Sequence, residues 1–243
     1  LDRSGSIGPT DWGKATTALA AALDSIPTSG ANQYRVGVVS FASTTTTVVA
    51  PTIVDATTIA GIKLAITNAS YSGGGTSMSA GINAIVNLFG SQPNGLGDKS
   101  LLNITTDGVP NSTSATTAAA TAAVGAGWDS ISAEAVGNAD IAFLQSIAFP
   151  NAPGVLVGPG GTIPNPLTQG FVISVANFDA YGDAIAAKVQ RITTSVVPVP
   201  AALPLLLSGL GALGLFGMRK RRKSQGGGTL AASMACRHSG PGQ

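Results

Sequence analysis

Between Trp12 and Ile192 the chain alternates helix-patterned runs with short β-branched apolar runs, and no other feature limits its fold as much. Trp12, Thr16, Leu19, Leu23 and Ile26 recur at spacings of four and three, the stripe of an amphipathic helix. Thr10 is placed to cap that helix, and Pro27 and Gly30 to end it. Residues 34–41 (YRVGVVSF) show little polar alternation, as a strand covered on both faces should. Residues 44–49 read as a second strand, nearer an edge. A second amphipathic helix carries Met78, Ile82, Ile85, Val86 and Phe89 on one side. Then follow a strand at 101–105, a small-residue helix at 114–126, a strand at 130–136 and a helix at 140–149. Residues 150–170, with five prolines and five glycines, predict a loop before a last strand at 171–175 and a last helix at 178–192. Helices placed between strands act as crossovers, so the expected class is α/β with a mostly parallel sheet.

Charge divides the 243 residues unevenly. Residues 1–195 hold seven Lys or Arg against all eleven Asp and Glu, a net −4, whereas the remainder holds six basic residues and no acid, a net +6. Arg219, Lys220, Arg221, Arg222 and Lys223 are consecutive and directly follow an apolar run, which favours a membrane flank over a nucleic-acid surface. Only 10% of the residues are charged, and the Thr/Gly/Ala-rich composition reads as that of an exported or surface protein. One cysteine (Cys236) and one histidine (His238) exclude a disulfide framework and any zinc site built from several Cys or His ligands. The first residue is Leu1 and the first motif starts at residue 2, so an N-terminus further upstream is expected.

That first motif is Asp2-Arg3-Ser4-Gly5-Ser6. In extended backbone alternate side chains point the same way, so one acid and two hydroxyls converge. Such a set suits a hard divalent cation, which prefers oxygen ligands in octahedral geometry. Thr76 follows the glycine run 73–75 at the mouth of the second helix, and Asp107 follows an apolar strand in the turn Thr106-Asp107-Gly108. In parallel sheets ligands bind at the loops that leave the carboxyl ends of the strands, where these groups are all expected. Taken alone, the pentapeptide reads as a turn and helix cap, and Asp107-Gly108 as an ordinary turn. The glycine run lacks the G-K-[ST] of a nucleotide loop.

With these residues in this order, the chain resembles a von Willebrand factor type A domain with a metal-ion-dependent adhesion site. The resemblance spans about residues 1–192, including Val136-Gly137 and the helix with Leu144-Gln145-Ser146-Ile147-Ala148. It implies a three-layer, Rossmann-like fold with helices on both faces of the sheet. It implies a central strand just ahead of Asp2, of which only Leu1 is present. It implies Mg²⁺, or Mn²⁺ or Ca²⁺, held by Asp2, Ser4, Ser6, Thr76 and Asp107, with one position left for an Asp or Glu of a protein partner. Trp12, Phe41, Met78 and Phe89 read as core, Arg3 and Lys14 as solvated, and Asp98, Asp140, Asp179 and Asp183 as surface or capping residues.

Residues 201–218 carry no charge over eighteen positions, close to the roughly twenty that span a hydrocarbon core. Gly209, Gly211, Gly214 and Gly217 give small faces for helix packing. The basic cluster behind the run would stay cytoplasmic and leave residues 1–195 outside. The segment is similar to PEP-CTERM sorting signals of the V-P-x-P-A type, here Val197-Pro198-Val199-Pro200-Ala201. That similarity implies processing by an exosortase-type enzyme in a bacterial envelope, with release to the surface or matrix as one outcome. The expected domains are thus 1–195, 196–223 for the signal and 224–243 for a disordered tail.

The function this suggests is a metal-dependent, adhesion-type binding module at a bacterial surface. One rival is a structural matrix protein without metal-dependent binding. Another is a serine hydrolase using Ser4, Ser6 or Ser77, which would need a histidine base, and the one histidine lies beyond the expected membrane span.

Overall fold

A computed structural model describes residues 1–92 and 95–195. The expected sorting motif, membrane segment, basic cluster and tail lie outside the described residues. Among the described residues no helix is long and apolar enough to cross a membrane.

Among the described residues six strands and six helices alternate much as the sequence predicts. In chain order they are α1 (Gly8–Ala22), β1 (Arg35–Phe41), β2 (Thr45–Ile53), α2 (Ile59–Thr67), α3 (Met78–Phe89), β3 (Leu101–Thr106), α4 (Thr113–Gly125), β4 (Ser130–Val136), α5 (Ile141–Ile147), β5 (Val155–Val157), β6 (Phe171–Val175) and α6 (Phe178–Ser195). β3, β4, β6 and β5 form a parallel sheet in that order, and β1 and β2 an antiparallel pair. Residues 1–3 lie between the two. Asp2 N donates to Thr105 O (2.9 Å), Arg3 N to Phe41 O (2.8 Å) and Phe41 N to Leu1 O (3.0 Å), so this short stretch pairs with β1 on one side and β3 on the other. Asp2 is thereby held between the carboxyl ends of β1 and β3 rather than loose.

Strand alternation assigns the two faces. Ile131, Ala133 and Ala135 of β4 join Val172 of β6 and the buried faces of α3, α4 and α5. Val136, Phe171, Ile173 and Val175 face the other way, onto α1 and α6. A third cluster packs α2 against the β1–β2 hairpin through Ile62, Ile66, Val38 and Val49. Ile66 is fully buried, and burying a side chain of that size is worth roughly 1.5–3 kcal/mol. α3 approaches β1 closely because residue 81 is glycine: a Cβ there would lie 2.6 Å from the Phe41 ring.

Three local expectations are corrected. α1 begins at Gly8 with Pro9 in its first turn, so Thr10 is inside the helix; the fixed φ of proline suits that position. α2 escapes the periodicity reading because it is short; its entrance is marked by Asp55, whose Oδ1 accepts from Thr57 N (2.7 Å) and Thr58 N (2.9 Å). The 150–170 loop contains β5, a three-residue edge strand too short to leave a pattern.

Candidate functional site

The site is built where residues 1–6, the loop into α3 and the end of β3 meet. Asp2 is fully buried, and both its carboxylate oxygens are held: Oδ1 accepts from Ser4 N (2.8 Å) and Oδ2 from the Thr106 hydroxyl (2.6 Å). The first bond fixes the turn that follows. It also orients the hydroxyls, since Ser4 Oγ lies 3.1 Å from Ser6 Oγ and Ser6 Oγ donates to Asp107 Oδ1 at 2.7 Å. Residues more than a hundred positions apart thus share one hydrogen-bonded cluster.

Thr76 reaches the same place by way of glycine. Gly73 (φ 67°) and Gly74 (φ 99°) adopt conformations that side chains rarely take, which lets the loop turn against residues 3–5. Gly73 N donates to Arg3 O (3.2 Å), Gly5 N to Gly74 O (2.8 Å), and Gly75 N to Ser43 Oγ (2.8 Å). A Cβ at Gly108 would lie 3.6 Å from both Ser6 Oγ and Thr76 Oγ1, so these hydroxyls flank the Asp107-Gly108 turn. Asp2, Ser4, Ser6, Thr76 and Asp107, the five residues singled out in the sequence, are therefore brought together at the carboxyl ends of the strands.

Other residues support them and were not singled out. Asn111 is the main one: its Oδ1 accepts from Thr76 N (2.9 Å), its own N donates to Thr76 O (2.9 Å), and its Nδ2 donates to Ser77 Oγ (3.2 Å). Thr106 locks Asp2, and Tyr71 donates its hydroxyl to Ser4 O (3.3 Å). Thr106 stood beside Asp107 in the sequence and could have been noticed. Nothing local marks Asn111 or Tyr71 as partners of loops tens of residues away.

The donor set is two carboxylates and three hydroxyls. Among the described residues no three Asp, Glu, His or Cys side chains gather into a metal cluster, so any ion here would rely on the hydroxyls. Partial burial pushes the Asp107 carboxyl above its ordinary value; the Ser6 hydrogen bond opposes this, and the nearby Asp2 charge adds to it. Ser77 accepts from Asn111, and the only histidine lies outside the described residues. Lys14, expected to be solvated, forms exposed ion pairs with Asp11 (3.0 Å) and Asp179 (2.8 Å). Arg3, also expected to be solvated, is instead buried with 6% of its surface exposed, because its side chain alternates away from Asp2 and Ser4 into the space beneath β2.

Comparison with known proteins identifies the fold and the family. A family profile described as "von Willebrand factor type A domain" matches residues 1–186. A search of curated proteins finds no match. Among solved structures, proximal thread matrix protein 1 from the mussel byssus, described "with zinc occupied MIDAS motif", is 20% identical with a TM-score of 0.60, covering 80% of this chain and 46% of its own. A von Willebrand factor type A protein from Catenulispora acidiphila is 16% identical with a TM-score of 0.59, covering 78% of this chain and 40% of its own. Manganese-loaded TRAP protein of Plasmodium vivax is 20% identical with a TM-score of 0.55, covering 78% and 70%. The chain spans less than half the length of the first two. Identities this low speak for the fold alone, but the profile match covers most of the chain. The chain belongs to the von Willebrand factor type A domain family.

Proposed function

We propose that this protein is a divalent-metal-dependent binding module, exported and tethered at a bacterial surface, that captures a partner through an acidic side chain. The observation that carries the reading is the convergence of Asp2, Ser4, Ser6, Thr76 and Asp107 on one hydroxyl-rich rim. These residues fit Mg²⁺, or Mn²⁺ or Ca²⁺: all are oxygen donors, and two carboxylates balance a doubly charged ion while the hydroxyls add coordination without charge. A bound ion would supply an open coordination position for a partner carboxylate. The protein's own part is to hold the donors in register: Thr106 and Ser4 N fix Asp2, and Asn111 fixes Thr76. The mussel protein's zinc-occupied motif and the manganese-loaded TRAP protein support a metal at this position.

The reading is of binding without turnover. Ser6 donates to Asp107 and no imidazole stands near it among the described residues, so the hydroxyl lacks a base that would make it a nucleophile. Export and tethering rest on the sequence from Val197 onward: the Pro motif, the uncharged run and the basic cluster. An exosortase-type enzyme is the proposed processor of that signal, and nucleic acid is not a proposed partner.

Water-proton relaxation with Mn²⁺ tests the open position. Mn²⁺ added to the full chain should give a strong enhancement that glutarate lowers by displacing bound water. An enhancement that glutarate leaves unchanged, or none at all, would overturn the reading.

A further inference from the structure

Arg3 occupies the second position of the D-x-S-x-S motif, yet its side chain takes no part in the rim. It runs the opposite way, into a cavity of about 220 Å³ between the β1–β2 hairpin and the segment after α2. The guanidinium forms the floor with Ser40, both buried; Thr46, Thr47 and Ser70 stand at the mouth and are exposed, and Val48 lines the wall. Nη2 donates to Thr46 Oγ1 (2.7 Å) and Nη1 to Ser70 O (3.3 Å), both neutral acceptors. Nε is buried and has no hydrogen-bond partner. Among the described residues no carboxylate pairs with Arg3, and its neighbour Asp2 is committed to Ser4 N and Thr106 on the other side.

A guanidinium cannot relieve burial by losing its proton. An ion taken out of water without a counter-charge costs several kcal/mol, and two neutral hydrogen bonds offset only part of that. A buried cation with no counter-charge, beside a cavity with hydroxyls at its mouth, is therefore completed by an anion. We propose that the Arg3 cavity binds a small oxyanion, a phosphate or carboxylate group that takes the Nη1 and Nη2 N–H groups left over after Ser70 and Thr46, together with hydroxyls of the lining. The fork geometry of arginine suits such a group, and the lining contains no acid to repel it. The site is separate from the metal rim and does not depend on it.

Calorimetric titration of the full 243-residue chain with inorganic phosphate tests this, in EDTA and against sodium chloride at equal ionic strength. The expected result is saturable binding of one anion per chain. Arg3→Gln should weaken it at least tenfold. Ser70→Ala, at the exposed mouth, keeps the carbonyl that accepts from Nη1 and should weaken it several-fold while keeping the unfolding temperature, which covers the case of an unstable Arg3 variant. A parallel titration with acetate identifies the source: tighter phosphate binding assigns a phosphate group, tighter acetate binding a carboxylate. The proposal is overturned if neither anion binds beyond the chloride control, or if Ser70→Ala and a folded Arg3→Gln bind as well as the wild type.

Discussion

Two polar clusters meet at consecutive residues of β3, and they are built on opposite terms. Thr105 turns inward to a buried set on the α6 side of the sheet. There Lys188 Nζ meets Glu134 Oε1 at 2.7 Å, and Asn103 Nδ2 and Thr105 Oγ1 each donate to Glu134 Oε2 at 2.8 Å. Lys188 also donates to Asn103 Oδ1, and the Tyr181 hydroxyl lies 3.3 Å from Thr105 Oγ1. Thr106 turns toward the rim and donates to Asp2. Inside, one cation balances one anion; at the rim, two carboxylates face each other with only hydroxyls between them. A buried cluster that satisfies itself needs nothing further and serves the fold. A cluster left with excess negative charge at the mouth of the sheet is arranged for something that comes from outside.

The comparison can be broken from either side, and the largest effect should come from the interior. Lys188→Ala leaves Glu134 buried without its partner and should cost about 3–5 kcal/mol in chemical denaturation. A double variant with Lys188→Met and Glu134→Leu should recover most of that loss, since a buried pair replaced by apolar side chains is often near neutral. A small loss for Lys188→Ala alone would mean the interior cluster is not structural.

At the rim the order reverses. Asp107→Asn should lower Mg²⁺ affinity at least a hundredfold, on the order of 3 kcal/mol, while the metal-free variant unfolds no more easily than the wild type. The second half follows from the direction of the Asp107 shift. Its carboxyl is raised by burial, so without metal the ionised form is the disfavoured one in the folded state.

The same shift sets the pH dependence. The folded, metal-free protein holds the Asp107 proton to higher pH than the unfolded chain does. This group therefore supports folding most at low pH, and that support is withdrawn as pH rises through its folded value. Metal needs the carboxylate and competes with the proton. Mg²⁺ affinity should fall as pH drops through a window lying above the ordinary 3.8, and titrations at stepped pH would locate it. A smaller effect is expected from Asn111→Ala, which frees Thr76 without touching a donor: roughly a tenfold loss of metal affinity, read by the same titration.

The sequence was most readable where one residue type does one thing. β4 and β6 appear at the predicted residues because their apolar runs are unbroken, and the five oxygen donors could be named because they stand in a recognisable order. Arg3 was misread as solvated, since charge alone says nothing about which way a side chain leaves a half-strand between two others. Glu134 and Lys188 lie 54 positions apart, and no local pattern links them. Asn111 carries no local signal, whereas its work is to bind the loop that carries Thr76. Partners fixed by tertiary approach leave no mark in the local pattern.

Calorimetric titration of Mg²⁺ into the full chain, beside the Asp107→Asn variant, tests the central claim most directly. The account predicts one ion per chain, with affinity at least a hundredfold lower in the variant and both proteins folded. No saturable binding by the wild type, or equal binding by the two, would contradict it.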